Sequence, residues 1–297
     1  MIEQASIGQE LATGARVRAF VELLKPRLSM LVAFSCAFGF ALASKGHFDW
    51  FKLSMVTLGG FLLSGASVCI NQIMERDLDA LMTRTRQRPI PTGRVSVSEA
   101  TIFALVCFVI SMTLLGLFTN PLTTLLSLVS MLLYSFLYTP LKRVGPVAVF
   151  VGAIPGALPP LLGWVAMTGT ITYEALIIFG IQFIWQFPHF WAIAWVSDDD
   201  YKKAGFKLLP SGGGKDHNTA IQIMTYTLFL LPLGLLPAWF RITGINSAVI
   251  VTLCGVAFLS QTFSLMKTGS HQSALRIMFG SFLYLPIVQI AYLLDKV

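Results

Sequence analysis

Charge is what this sequence has least of. Only 12% of its 297 residues are Asp, Glu, Lys or Arg, while 55% are hydrophobic types. A soluble domain is usually about twice as charged. With a mean hydropathy of +0.74, the chain has too few charges to coat a water-facing globule of this size. Most of its exterior is therefore expected to face lipid, and intrinsic disorder is excluded. Cysteine is also scarce. Cys36, Cys69, Cys107 and Cys254 are widely spaced and form no CxxC pair, which excludes a disulfide-stapled fold and leaves zinc or redox sites without support. They read as small buried hydrophobes. The first 27 residues are polar and hold no signal-peptide core, so no cleavage is expected. The net charge of +7 would suggest nucleic acid in a soluble protein. Here it reads as basic loops against an anionic membrane face, with no nucleic-acid partner.

A bilayer core needs about 20 apolar residues per helix. On that scale nine spans appear, over 28–44, 52–71, 100–118, 121–139, 146–167, 173–196, 219–239, 246–266 and 274–293. The expected fold is an all-α polytopic membrane bundle. It has a polar segment over 1–27 and a single membrane domain over 28–297. Thr119-Asn120-Pro121 separates the third and fourth spans as a tight hairpin. Of the 21 Lys and Arg residues, 17 fall on the side of the N-terminus, with Arg276 counted in the turn after the eighth span. Only Lys45, Lys52, Arg241 and Lys296 fall on the other side. Basic loops stay in the cytoplasm, so the N-terminus is expected inside and the C-terminus outside.

Six of the 14 acids stand in two tight groups on that same side: Glu75, Asp77 and Asp79 closing the second span, and Asp198, Asp199 and Asp200 closing the sixth. A transporter would more often carry ionisable groups at mid-membrane. Asn71, Glu75 and Asp79 are spaced i, i+4, i+8 and share one helical face. Three oxygen-bearing side chains on one stripe suit a hard cation such as Mg²⁺, whose shell is completed by water and substrate phosphate. Asp77 lies off that stripe and reads as solvated or arginine-paired. Arg84, Arg86 and Arg88 follow, and arginine binds phosphate oxygens through a two-pronged fork. Metal-binding carboxylates beside arginines are what a diphosphate ester needs. The second acid group would meet the first across the bundle.

With these residues in place, the chain resembles the UbiA-type intramembrane prenyltransferases, and within them the haem-prenylating branch. The resemblance spans nearly the whole sequence. It is carried by Asn71, Glu75 and Asp79, by Arg84-Thr85-Arg86-Gln87-Arg88-Pro89-Ile90-Pro91-Thr92-Gly93, and by Tyr134 with Tyr138-Thr139-Pro140-Leu141-Lys142-Arg143. The haem-branch signal is Pro188-His189-Phe190-Trp191 with Asp200-Tyr201-Lys202-Lys203-Ala204-Gly205 and Leu208-Leu209-Pro210. Two departures stand out. Quinone-type relatives carry Asp where Gln72 and Glu75 stand, and their second Asp-x-x-x-Asp motif falls on Ser197 and Tyr201.

The resemblance implies transfer of a farnesyl group from farnesyl diphosphate to a vinyl group of haem b, at the cytoplasmic face of a bacterial inner membrane. A quinone precursor or a lipid is the alternative acceptor. Mg²⁺ would be held by Asn71, Glu75 and Asp79, joined by Asp199 or Asp200, with Asp200 also counted among the catalytic residues. Arg84, Arg88, Lys142 and Lys203 would hold the diphosphate. His189, Tyr138 and Trp191 are the candidate haem contacts, and a haem-modifying enzyme or terminal oxidase assembly would receive the product. His189 lies roughly 16 Å along the helix axis from Asp200 at about 1.5 Å per residue. His47, His217 and His271 sit in expected loops and carry no motif.

Overall fold

The computed structural model describes residues 14–46, 48–212 and 214–297. His47 lies outside these residues. Nine helices are long and apolar enough to cross a membrane among the described residues. They are α1 (Pro26–Ala43), α2 (Trp50–Met74), α4 (Val97–Phe118), α5 (Pro121–Leu132, continued as a π-helix over Leu133–Tyr138 and a last turn over Thr139–Leu141), α6 (Val147–Thr168), α7 (Tyr173–Val196), α9 (His217–Trp239), α10 (Ile245–Thr268) and α11 (His271–Leu294). Two short helices, α3 (Arg76–Leu81) and α8 (Asp198–Lys203), continue the second and sixth spans. His217 and His271 open α9 and α11 rather than sitting in loops, and Arg276 lies within α11, not in the preceding turn. The three-residue hairpin at Thr119–Pro121 forms, with the Asn120 side chain accepting from the Thr123 N–H at 2.9 Å. Leu117 (72% exposed) and Leu253 (65%) are among the many large apolar side chains turned outward. Such a surface is stable only against lipid.

Apolar side chains gain little by leaving lipid for another helix, so the bundle is held by close packing and internal hydrogen bonds. α1 and α6 meet through glycine. A Cβ on Gly39 would fall 1.9 Å from the Pro160 carbonyl oxygen, and one on Gly163 would fall 1.9 Å from that of Cys36. The two backbones therefore touch. α6 also carries Pro155, Pro159 and Pro160 in its interior. Pro160 has no N–H to offer the Gly156 carbonyl one turn back. Gln182 and Gln186 of α7 donate to that carbonyl instead, at 2.8 and 2.9 Å. Gln289 of α11 donates to Gln182 Oε1 at 2.9 Å and pairs with Ser35 of α1. This buried chain ties α1, α6, α7 and α11 together where no water can satisfy a broken helix. Cys36, Cys69 and Cys107 are buried and all four cysteines are free. The start of α1 and the ends of α2, α5 and α7 converge at one end of the bundle, which holds both acid groups.

Candidate active site

The stripe Asn71–Glu75–Asp79 crosses a break in the helix. α2 ends at Met74, and Glu75 sits at φ −98°, ψ 9° before α3 begins. The hydrogen-bond ladder nevertheless continues, from the Glu75 N–H to Asn71 O (2.9 Å) and from the Asp79 N–H to Glu75 O (2.7 Å). All three side chains stay on one face and are buried, at 2%, 5% and 0% exposure. Asp77 points outward beside Arg76.

Each group of the stripe is oriented by a neighbour. The Thr139 hydroxyl donates to Tyr134 O (3.0 Å), so its oxygen can only accept from Asn71 Nδ2, at 3.2 Å. That turns the Asn71 carbonyl oxygen away from Thr139. The π-helix of α5 delivers Thr139 and Lys142 to this point; such segments often mark functional sites. Glu75 pairs with Lys142 at 2.9 Å, and Asp79 Oδ2 pairs with Arg88 at 2.5 Å. Burial alone would lower the Lys142 pKa, but the Glu75 carboxylate outweighs it and holds the ammonium above its ordinary value. The ammonium also lies 4.8 Å from the centre of the Tyr138 ring. Asp79 Oδ1 is buried and accepts no hydrogen bond. A buried carboxylate oxygen left without a donor is costly, and Asn71 and Glu75 place further hard oxygens on the same helical face.

The second acid group is used differently. α7 ends at Val196, Ser197 breaks the helix at φ −97°, ψ 10°, and α8 begins at Asp198. Asp200 accepts from the backbone N–H of Thr83 (3.1 Å) and Arg84 (3.0 Å) and from Lys203 Nζ (2.8 Å). These donors, Lys203 first and Arg84 next, hold its carboxyl well below the usual carboxylate range. Lys203 also donates to Thr83 Oγ1 at 3.0 Å. Asp200 is thus a clasp between the arginine loop and α8. Asp198 is buried with Lys202 at 2.7 Å, and Asp199 is exposed. Among the described residues, no three His, Cys, Asp or Glu side chains converge into a ready-made metal centre.

Lys25 was legible in the sequence only as an orientation charge. It holds a left-handed conformation (φ 45°) at the cap of α1, a costly geometry for a side-chain-bearing residue. Lys25 is half-buried, and its amine feels the charges of Arg88, Lys142, Asp79 and Glu75. Burial first, then the Arg88 and Lys142 charges, lower its pKa to about 7. The site thus gathers Lys25, Arg88 and Lys142 around the two buried carboxylates, with Arg84 and Lys203 beside Asp200.

The haem candidates fan out from α7. Phe190 approaches Tyr138 at 6.3 Å between rings. Trp191 packs edge-on against Tyr226 of α9. His189 stacks on Trp185 at 4.3 Å and meets Ser281 of α11, with Nδ1 2.8 Å from Oγ.

The model of the UbiA prenyltransferase family covers residues 32–285. The chain belongs to the UbiA prenyltransferase family. It is 50% identical over 283 residues to "Protoheme IX farnesyltransferase" of Cytophaga hutchinsonii, covering 95% of this chain and 99% of that one. It is 44% identical over 282 residues to the protein of the same name from Christiangramia forsetii, covering 93% of each. Among solved structures, a digeranylgeranylglyceryl phosphate synthase superposes with a TM-score of 0.78 at 20% identity, over 94% of this chain and 98% of that one. A UbiA homologue from Archaeoglobus fulgidus bound to DMAPP and Mg²⁺ gives 0.66 at 18% identity, over 92% and 98%. The fold is therefore the UbiA fold, and this UbiA-family chain is an integral membrane prenyltransferase.

Proposed function

We propose that this chain transfers the farnesyl group of farnesyl diphosphate to the vinyl group of haem b, with release of diphosphate, at the cytoplasmic face of a bacterial inner membrane. The observation that carries the acceptor is the 50% identity, over nearly the full length of both chains, to a protein named for that reaction. The sidedness rests on the excess of Lys and Arg at the end that holds the site.

The residues present fit Mg²⁺. Asn71, Glu75 and Asp79 offer hard oxygens, and Asp79 Oδ1 is buried with no hydrogen-bond donor. When bound, the metal neutralises charge that develops on the departing diphosphate. Arg88 and Lys142, paired with Asp79 and Glu75, would hold phosphate oxygens beside the cation that those carboxylates would bind. Arg84, Lys203 and Lys25 supply further positive charge at the rim, and Asp200 holds Arg84 and Lys203 in place. Breaking the farnesyl C1–O bond leaves an allylic cation. The vinyl carbon attacks C1, and the cation left beside the porphyrin takes the oxygen of water, which gives up a proton. The product is a hydroxyethylfarnesyl haem.

His189 is suited to hold the acceptor. The Ser281 hydroxyl donates to Met278 O at 2.6 Å, so His189 Nδ1 must be the donor in their contact. The proton is then on Nδ1 and the lone pair on Nε2, the tautomer that can ligate iron. His189→Ala should weaken haem binding in an absorbance titration while leaving farnesyl diphosphate binding intact; unchanged haem affinity and turnover make His189 a packing residue. The direct test of the reaction is mass analysis of haem extracted from cells with and without the protein. A species heavier by one farnesyl group plus one hydroxyl supports the proposal. A purified enzyme that prenylates a hydroxybenzoate and ignores haem overturns it.

A further inference from the structure

The α10–α11 hairpin turns at the same membrane face as the active site. A groove of about 380 Å³ runs along its outer side. Gln272, Arg276, Phe279 and Leu283 line it from α11, and their i+4, i+3, i+4 spacing keeps them on one helical face. Gln261 of α10 closes the other wall. A Cβ on Gly280 would fall 2.4 Å from Gln261 Oε1, so only glycine lets the Gln261 amide lie across the floor. Gln261 Oε1 is buried there without a hydrogen-bond donor. Arg276 is exposed and has no acidic partner among the described residues.

Polar and apolar groups are sorted along the groove. Gln272 and Arg276 are nearest the turn, within about 8 Å of the start of α11 at 1.5 Å per residue. Phe279 and Leu283, 58% and 65% exposed, lie one to two turns deeper. A guanidinium at headgroup depth on a lipid-facing helix needs an anion, and its planar fork matches a phosphate. Gln261 Oε1 needs a hydroxyl or N–H donor. The apolar end needs a chain. We propose that this groove binds an anionic phospholipid whose headgroup carries a hydroxyl, as phosphatidylglycerol does. The phosphate meets Arg276 and Gln272, the headgroup hydroxyl donates to Gln261, and one acyl chain lies along Phe279 and Leu283.

The test uses the full-length protein in bilayer discs of equal phosphatidylglycerol and phosphatidylcholine, with retained lipids counted by native mass spectrometry. Wild type should retain phosphatidylglycerol in about fivefold excess, the scale of one arginine–anion contact at a membrane surface. Arg276→Gln should bring the ratio to about one, while Leu283→Trp, which fills the apolar end, should lower total retention. Equal retention by the wild type overturns the proposal without any variant. A preference that survives Arg276→Gln also overturns it. Displacement of the retained lipid by farnesyl diphosphate would assign the groove to the isoprenoid substrate and overturn the phospholipid reading.

Discussion

The second and sixth spans end in the same backbone break and put it to different uses. Glu75 sits at φ −98°, ψ 9° and Ser197 at φ −97°, ψ 10°, each followed by a six-residue helix. After the first break the acids turn inward. Glu75 and Asp79 are buried, each paired with one cation, and one Asp79 oxygen is left open. After the second break Asp200 is consumed by two backbone N–H groups and Lys203, Asp198 is held by Lys202, and Asp199 faces solvent. Two acid clusters that look alike in sequence thus differ in what their oxygens have left to give. On the proposed function, the first is the half that would receive a cation, and the second fixes the loop that would receive the phosphate.

The comparison breaks most sharply at Asp79. Asp79→Ala or Asn71→Ala should cut kcat/KM on the order of a thousandfold or more, about 4 kcal/mol, in purified protein that still inserts. Near-normal turnover would remove the metal assignment. Asp200→Ala should cost less, about thirtyfold, mostly as a higher KM for the diphosphate, because it loosens Arg84 without touching the metal. A kcat loss as large as that of Asp79→Ala would make the two clusters equivalent. Arg88→Lys keeps the charge but loses the fork, and about a tenfold loss, ~1.4 kcal/mol, is expected. A silent change would reduce Arg88 to an orientation charge.

A smaller effect concerns pH. Lys25, with its pKa lowered to about 7, is charged below that pH and neutral above it. Its attraction for the diphosphate is therefore present at low pH and fades as pH rises through about 7. The kcat/KM for farnesyl diphosphate should fall severalfold between about pH 6 and 8, since that ratio reports the free enzyme. Lys25→Arg should flatten this limb of the profile. Smallest of all, Asp77→Ala and Asp199→Ala should stay within about twofold of wild type, because both side chains already face water.

The sequence carried the nine spans because each is a long apolar window, and it carried the stripe because helical periodicity survives the break at Glu75. It did not carry the break itself. No Pro or Gly marks Glu75 or Ser197, so the kink comes from how the short helices pack. The clasp by Asp200 joins residues 117 positions apart, and no local pattern foretells it. Lys25 reads as one more orientation charge until the packed bundle brings it beside Arg88 and Lys142. Arg276 falls inside the last apolar window, 274–293, and inside α11, which Ser270 caps, so it belongs to the helix and not to the turn. The pairing of Gln182 and Gln186 with Gly156 was hidden for the same reason as the clasp: a proline in α6 leaves a carbonyl open, but only the packed bundle shows which residue fills it.

The most direct measurement is the binding of a non-reactive thiodiphosphate analogue of farnesyl diphosphate, with and without Mg²⁺, to wild type, Asp79→Asn and Asp200→Asn. The account predicts that Mg²⁺ tightens binding to wild type and to Asp200→Asn, whose overall affinity is weaker, and has no effect on Asp79→Asn. Metal dependence kept by Asp79→Asn and lost by Asp200→Asn would contradict it.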